Sequence, residues 1–110
     1  MPEKYLIYLT DINASIESIE KFIQGMTLDQ FLNDDKTSSA VIRKFEIIGE
    51  ASKSIPEEIK KNYPHIPWKD IAGMRDKLIH AYSKVDLSLV WRTIHKRLPE
   101  LKSFINDFLK

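Results

Sequence analysis

The feature that most constrains this chain is the spacing of its apolar residues, which recur every three or four positions almost from end to end. Tyr5, Leu9, Ile12, Ile16, Ile19 and Ile23 form one such stripe. Apolar side chains at that period lie on one face of an α-helix, so the stripe predicts a long first helix with Gly25 as its stop. Thr27 is placed to cap a short second helix through Leu28, Phe31 and Leu32, and Asn33-Asp34-Asp35 reads as a loop. Thr37 or Ser38 opens a third helix with Val41, Phe45, Ile48 and Ile55 inward, ending before Pro56 because a residue ahead of proline disfavours helical geometry. Glu57 to Tyr63 suits one or two helical turns, and Pro64 and Pro67 bracket an irregular connector.

A fourth helix is predicted from near Trp68 to about Tyr82. Asp86 is a good N-cap for the last one, whose stripe is Val90, Ile94, Leu98, Leu101, Ile105 and Phe108, widened by Trp91 and Phe104. Pro99 lies inside that stripe and should kink or split the helix, since it lacks a backbone donor and crowds the preceding turn. No stretch alternates at the two-residue period of a strand. The expected fold is all-α: an antiparallel bundle of about four main helices plus one or two short ones, in a single domain over residues 1–110.

Composition enters as a set of exclusions. A formal net charge of +1 provides no global field toward nucleic acid or membrane, so any RNA would have to be held in a local cleft. There is no cysteine, which removes disulfides and thiolate metal sites. Met1-Pro2-Glu3-Lys4 leads straight into the amphipathic pattern without an apolar signal core. No run approaches the ~20 apolar residues that span a bilayer. The expectation is a cytoplasmic protein with no membrane partner.

The densest polar group in an otherwise amphipathic helix is Gly73-Met74-Arg75-Asp76-Lys77-Leu78-Ile79-His80-Ala81-Tyr82. At about 100° per residue, Asp76 and His80 are nearly eclipsed, so the carboxylate can accept from one ring nitrogen and raise the basicity of the imidazole. Arg75 and Tyr82 share another row. Arg75 and His80 stand roughly 140° apart, so a straight helix does not aim both at one small target. A cleft lined by a second copy of the helix would bring them together, which favours a homodimer. Such a set can cleave a phosphodiester: imidazole takes the ribose 2′-hydroxyl proton and returns one to the leaving 5′-oxygen, while guanidinium grips the phosphate. No metal or cofactor is needed. The same residues also read as a surface histidine, a solvated Arg-Asp pair and an edge aromatic.

The segment Arg75-Asp76-Lys77-Leu78-Ile79-His80-Ala81-Tyr82 resembles the R-x4-H-x-Y signature of the HepT-like family of HEPN-domain toxins. Pro67-Trp68-Lys69-Asp70-Ile71-Ala72-Gly73-Met74 is similar to the run preceding that motif, Arg43-Lys44-Phe45-Glu46-Ile47-Ile48-Gly49-Glu50-Ala51 to the family's third helix, and Leu98-Pro99-Glu100-Leu101 to its last. The resemblance covers essentially the whole chain. It implies a HEPN fold and a homodimeric endoribonuclease that is the toxin of a toxin–antitoxin pair, with Arg75 and His80 catalytic and Asp76 supporting. It implies further that a cognate minimal nucleotidyltransferase antitoxin adds AMP from ATP to Tyr82. An anionic adenylate beside the cleft would repel an RNA backbone.

Other candidates carry plainer readings. Glu46 and Glu50 share a face that is either solvated or, through an inward Glu46, supports the motif helix. His65 and His95 belong to no zinc-ligand spacing. Trp68 and Trp91 are core anchors, with base stacking on Trp68 the sharper alternative. Lys84, Arg92, Lys96 and Arg97 are a solvated basic face or the flank of an RNA path. Two competing functions stand beside the ribonuclease: a non-catalytic dimeric module that binds and regulates a nucleotidyltransferase, and a plain helical scaffold.

Overall fold

The computed structural model describes residues 4–80 and 85–109, with the backbone alone at 75 and 78–80. Among the described residues seven helices follow one another: α1 (Lys4–Phe22), α2 (Leu28–Leu32), α3 (Asp35–Lys53), α4 (Glu57–Lys61), α5 (Trp68–His80), α6 (Leu87–Lys96) and α7 (Leu98–Leu109). Among the described residues there is no strand, so the fold is all-α. Leu9, Ile12, Ile16 and Ile19 of α1 are fully buried, as their spacing requires. α3 lies at the centre and packs most extensively against α1 on one side and α5 on the other. Its buried row, Val41, Phe45, Ile48 and Ala51, alternates with the small Ser38, Gly49 and Ser52, which let neighbouring helices approach.

Local chemistry sets the helix ends. Gly25, at φ +77°, takes the left-handed conformation that stops α1 at little steric cost. Thr27 and Gln30 form a reciprocal capping box on α2: the Gln30 amide donates to Thr27 Oγ1 at 3.2 Å, and the Thr27 amide donates to Gln30 Oε1 at 2.9 Å. The third helix starts earlier than its sequence suggested. Asp34 is the N-cap and accepts from the Thr37 amide at 2.9 Å and from its hydroxyl at 2.8 Å. Thr37 is therefore a donor within the first turn, because the aspartate oxygen reaches the orphan amide three residues on. The same contacts hold the Asp34 carboxyl below its ordinary value.

Asp86 caps α6 as expected, accepting from the Leu89 amide at 3.1 Å. The predicted break at Pro99 is a split between α6 and α7 at Arg97, with Pro99 in the first turn of α7, where its missing donor costs nothing. The irregular connector contributes more to the core than its composition suggested. Ile66 is buried, and Tyr63 meets Phe104 edge-on at 4.6 Å and Phe108 at 5.9 Å. Trp68 closes this cluster, 5.2 Å from Phe104, with its indole N–H donating to the Tyr63 carbonyl at 3.2 Å. The start of α5 is thus fastened to α7 through aromatic contacts. Lys102 of α7 donates to Glu20 of α1 at 2.7 Å, closing the other side of the bundle.

Candidate functional site

Helix α5 carries the motif. Trp68 and Ile71 are its buried residues among those whose side chains are described, and Met74 packs on the core from a half-buried position. Lys69, Asp70 and Lys77 are exposed. Backbone positions 75, 76 and 80 all lie on this one helix, so the helical offset between Arg75 and His80 expected from their spacing holds for the backbone. Tyr82, and with it Lys84, lies outside the described residues.

Asp76 makes a contact that the sequence did not announce. Lys53, at the end of α3, donates to Asp76 Oδ1 at 2.9 Å. Lys53 and Asp76 are 23 residues apart, so no local spacing rule could have found the pair. Both side chains are close to half exposed, and such a bridge contributes little to stability. Its effect is positional: it ties the motif helix to the central helix at the residue expected to support His80.

Glu46 pairs with Arg43 at 3.5 Å and lines a groove with Tyr8 and Asp11 of α1. Glu50 borders the same groove and is exposed. Trp68 is buried among aromatics, which removes the base-stacking reading. Trp91 packs on Phe31 at 5.2 Å and is a core-edge anchor. His95 stacks on Trp91 at 4.6 Å, its Nδ1 2.8 Å from the Trp91 carbonyl, and His65 sits 6.3 Å from the Tyr63 ring. Among the described residues, no group of three His, Cys, Asp or Glu side chains could hold a metal. No helix there is long and apolar enough to cross a membrane. Arg92 and Lys96 point to solvent, whereas Arg97 reaches Asp70 of α5 at 4.0 Å.

That last contact marks a cleft of about 330 Å³ between α3, α5 and the junction of α6 with α7. Its floor is apolar, from Phe45, Met74 and Leu89, and its border carries Lys69, Lys77 and Arg97. Sequence reasoning missed it. The available signal was the four-residue row Lys69, Gly73, Lys77, which alternates cations with a side-chain-free position on one helix face.

Fold and motif together define an all-helical bundle whose central helix presents an R-x4-H helix. The ribonuclease HepT-like family profile matches residues 12–108, and the chain belongs to that family. It is 50% identical to a Thermococcus cleftensis protein named "Probable ribonuclease HepT", with 93% of each chain covered. It is 43% identical to a Methanocaldococcus jannaschii protein named "Putative RNase", over all of this chain and 96% of that one. A Caldanaerobacter subterraneus protein of the same designation is 40% identical, over 94% of this chain and 92% of the relative. No solved structure gives a significant match.

Proposed function

We propose that this chain is the ribonuclease toxin of a toxin–antitoxin pair, a metal-independent endoribonuclease acting through Arg75 and His80. The observation that carries the reading is the coincidence of family membership over nearly the whole chain with an intact R-x4-H-x-Y run, the arginine and histidine of which fall on one helix. His80 removes the 2′-hydroxyl proton, the 2′-oxygen attacks the adjacent phosphorus, and the bond to the 5′-oxygen breaks. Return of a proton to that oxygen leaves a 2′,3′-cyclic phosphate and a 5′-hydroxyl end. Arg75 neutralises the charge that builds on the non-bridging oxygens. Asp76, held from α3 by Lys53, orients the imidazole four residues on.

The functional unit is a homodimer in which two copies of α5 line one cleft, since the offset of positions 75 and 80 around a single helix separates the two groups. A minimal nucleotidyltransferase encoded beside it silences the enzyme by transferring AMP from ATP to Tyr82. The added phosphate places negative charge next to the path of the RNA backbone.

The test is incubation of the purified protein with total tRNA and mRNA in EDTA. It runs beside His80→Ala and beside wild type pre-treated with the nucleotidyltransferase and ATP. Cleavage by untreated wild type alone is expected. Cleavage that survives in His80→Ala would remove the histidine from the mechanism. Absence of cleavage in every sample would favour a non-catalytic module that binds the nucleotidyltransferase.

A further inference from the structure

The geometry points to the cleft between α3, α5 and the α6–α7 junction as a binding site for one nucleotide of the RNA substrate, next to the scissile phosphate. The inference rests on the ribonuclease reading for the identity of its ligand, while the size, lining and glycine of the cleft do not depend on the roles of Arg75 and His80.

The first is size. A volume of about 330 Å³ falls within the ~300–1,000 Å³ typical of small-ligand sites. The second is the division of chemistry across it. Phe45, Met74 and Leu89 form an apolar floor suited to the face of a base. Lys69, Lys77 and Arg97 place three cations at the border against the single carboxylate of Asp70, which suits a phosphate. This local excess of positive charge stands out on a chain whose overall balance is only +1.

The third observation is Gly73. It lies in the interior of α5, where glycine costs about 1 kcal/mol relative to alanine, so some gain should offset it. A Cβ at Gly73 would meet nothing within 4 Å among the described residues, so no described neighbour requires a glycine there. The residue faces the cleft, and its missing side chain keeps the floor open. The fourth is continuity. Residues 69, 73 and 77 form one row of α5, and helix position 80 follows three residues on. A nucleotide in this cleft would therefore lie along the same face of the helix that leads to the proposed general base.

The experiment has two arms, so that this inference and the ribonuclease reading can fail separately. In the first, uridine 5′-monophosphate and AMP are titrated into ¹⁵N-labelled wild type, and amide shifts are followed by NMR. Gly73, Leu89 and Thr93 should shift. The shifts should vanish in Gly73→Leu, whose side chain projects into the cleft from a position with open space before its Cβ; circular dichroism confirms that the variant is folded. In the second arm, Gly73→Leu and the double variant Lys69→Gln/Lys77→Gln are compared with wild type in RNA cleavage. Both should raise KM about tenfold or more, and far more than they lower kcat. The double variant should also flatten the dependence of affinity on salt by about one unit of log–log slope per cation removed.

Cleft shifts without any RNA cleavage would support the nucleotide site and overturn the ribonuclease reading. Cleavage by the variants with unchanged KM would overturn the nucleotide site and leave the ribonuclease reading intact. Absence of cleft shifts with both nucleotides would also overturn the site, whether or not RNA is cut.

Discussion

Helices α1 and α5 pack on opposite sides of α3, yet they spend their residues in opposite ways. α1 commits an unbroken apolar row, with Leu9, Ile12, Ile16 and Ile19 all fully buried. α5 is fastened at its start by Trp68 and Ile71 and further along by the Lys53–Asp76 bridge, and it turns Lys69, Asp70 and Lys77 to solvent. The difference teaches where a small bundle can place chemistry. Both helices keep a polar side next to a groove, Tyr8 and Asp11 on α1 and Lys69, Asp70 and Lys77 on α5, but on α5 that side sets cations beside an apolar floor. Part of the stability such a site forgoes must come from elsewhere, here from α1 and from the aromatic cluster of Tyr63, Trp68, Phe104 and Phe108.

The comparison can be broken by substitutions that confuse the two roles. On α5, His80→Ala should lower RNA cleavage by about 10²–10⁴-fold while leaving the melting temperature close to that of wild type. If the melting temperature collapsed with activity, the motif helix would be a core element like α1. On α1, Ile16→Ala should do the reverse, lowering stability by about 2–5 kcal/mol in denaturant titration without entering the chemistry.

Smaller changes sharpen it. Lys53→Gln removes the tether on Asp76 and should cost under ~1 kcal/mol of stability, since the pair is half exposed. Cleavage should nevertheless fall several-fold, because Asp76 loses its link to α3; equal activity would show that the bridge has no positioning role. Gly73→Ala should raise stability by about 0.5–1 kcal/mol, the propensity gain at a helix position with open space before it.

The smallest effects belong to pH. The Asp34 carboxyl is lowered first by the Thr37 backbone amide, so the cap stabilises the fold above the unfolded value near 3.8 and fades as pH falls through the lower folded value. Lys102 is raised first by its hydrogen bond to Glu20, so that contribution is complete below 10.5 and disappears as pH rises through the higher folded value. Thermal melts between these limits should leave both contacts intact, and neither contact should shape the pH profile of cleavage.

Much of this molecule could be read from residue order alone, because a helix converts sequence spacing directly into a face. The rows from Leu9 to Ile23, Val41 to Ile48 and Val90 to Ile105 required only the 3.6-residue period, and each is buried. Gly25, Thr27, Asp86 and Pro99 marked helix ends or breaks because capping and proline geometry act within one turn. The R-x4-H-x-Y run was likewise visible as residues in order. Tertiary structure alone decided the rest. It buried Ile66 from a proline-bracketed connector, set Glu46 against α1, joined Lys53 to Asp76 and opened a cleft before Gly73. Those outcomes depend on which face of one helix meets which face of another, a relation between residues distant in the chain that local periodicity cannot encode.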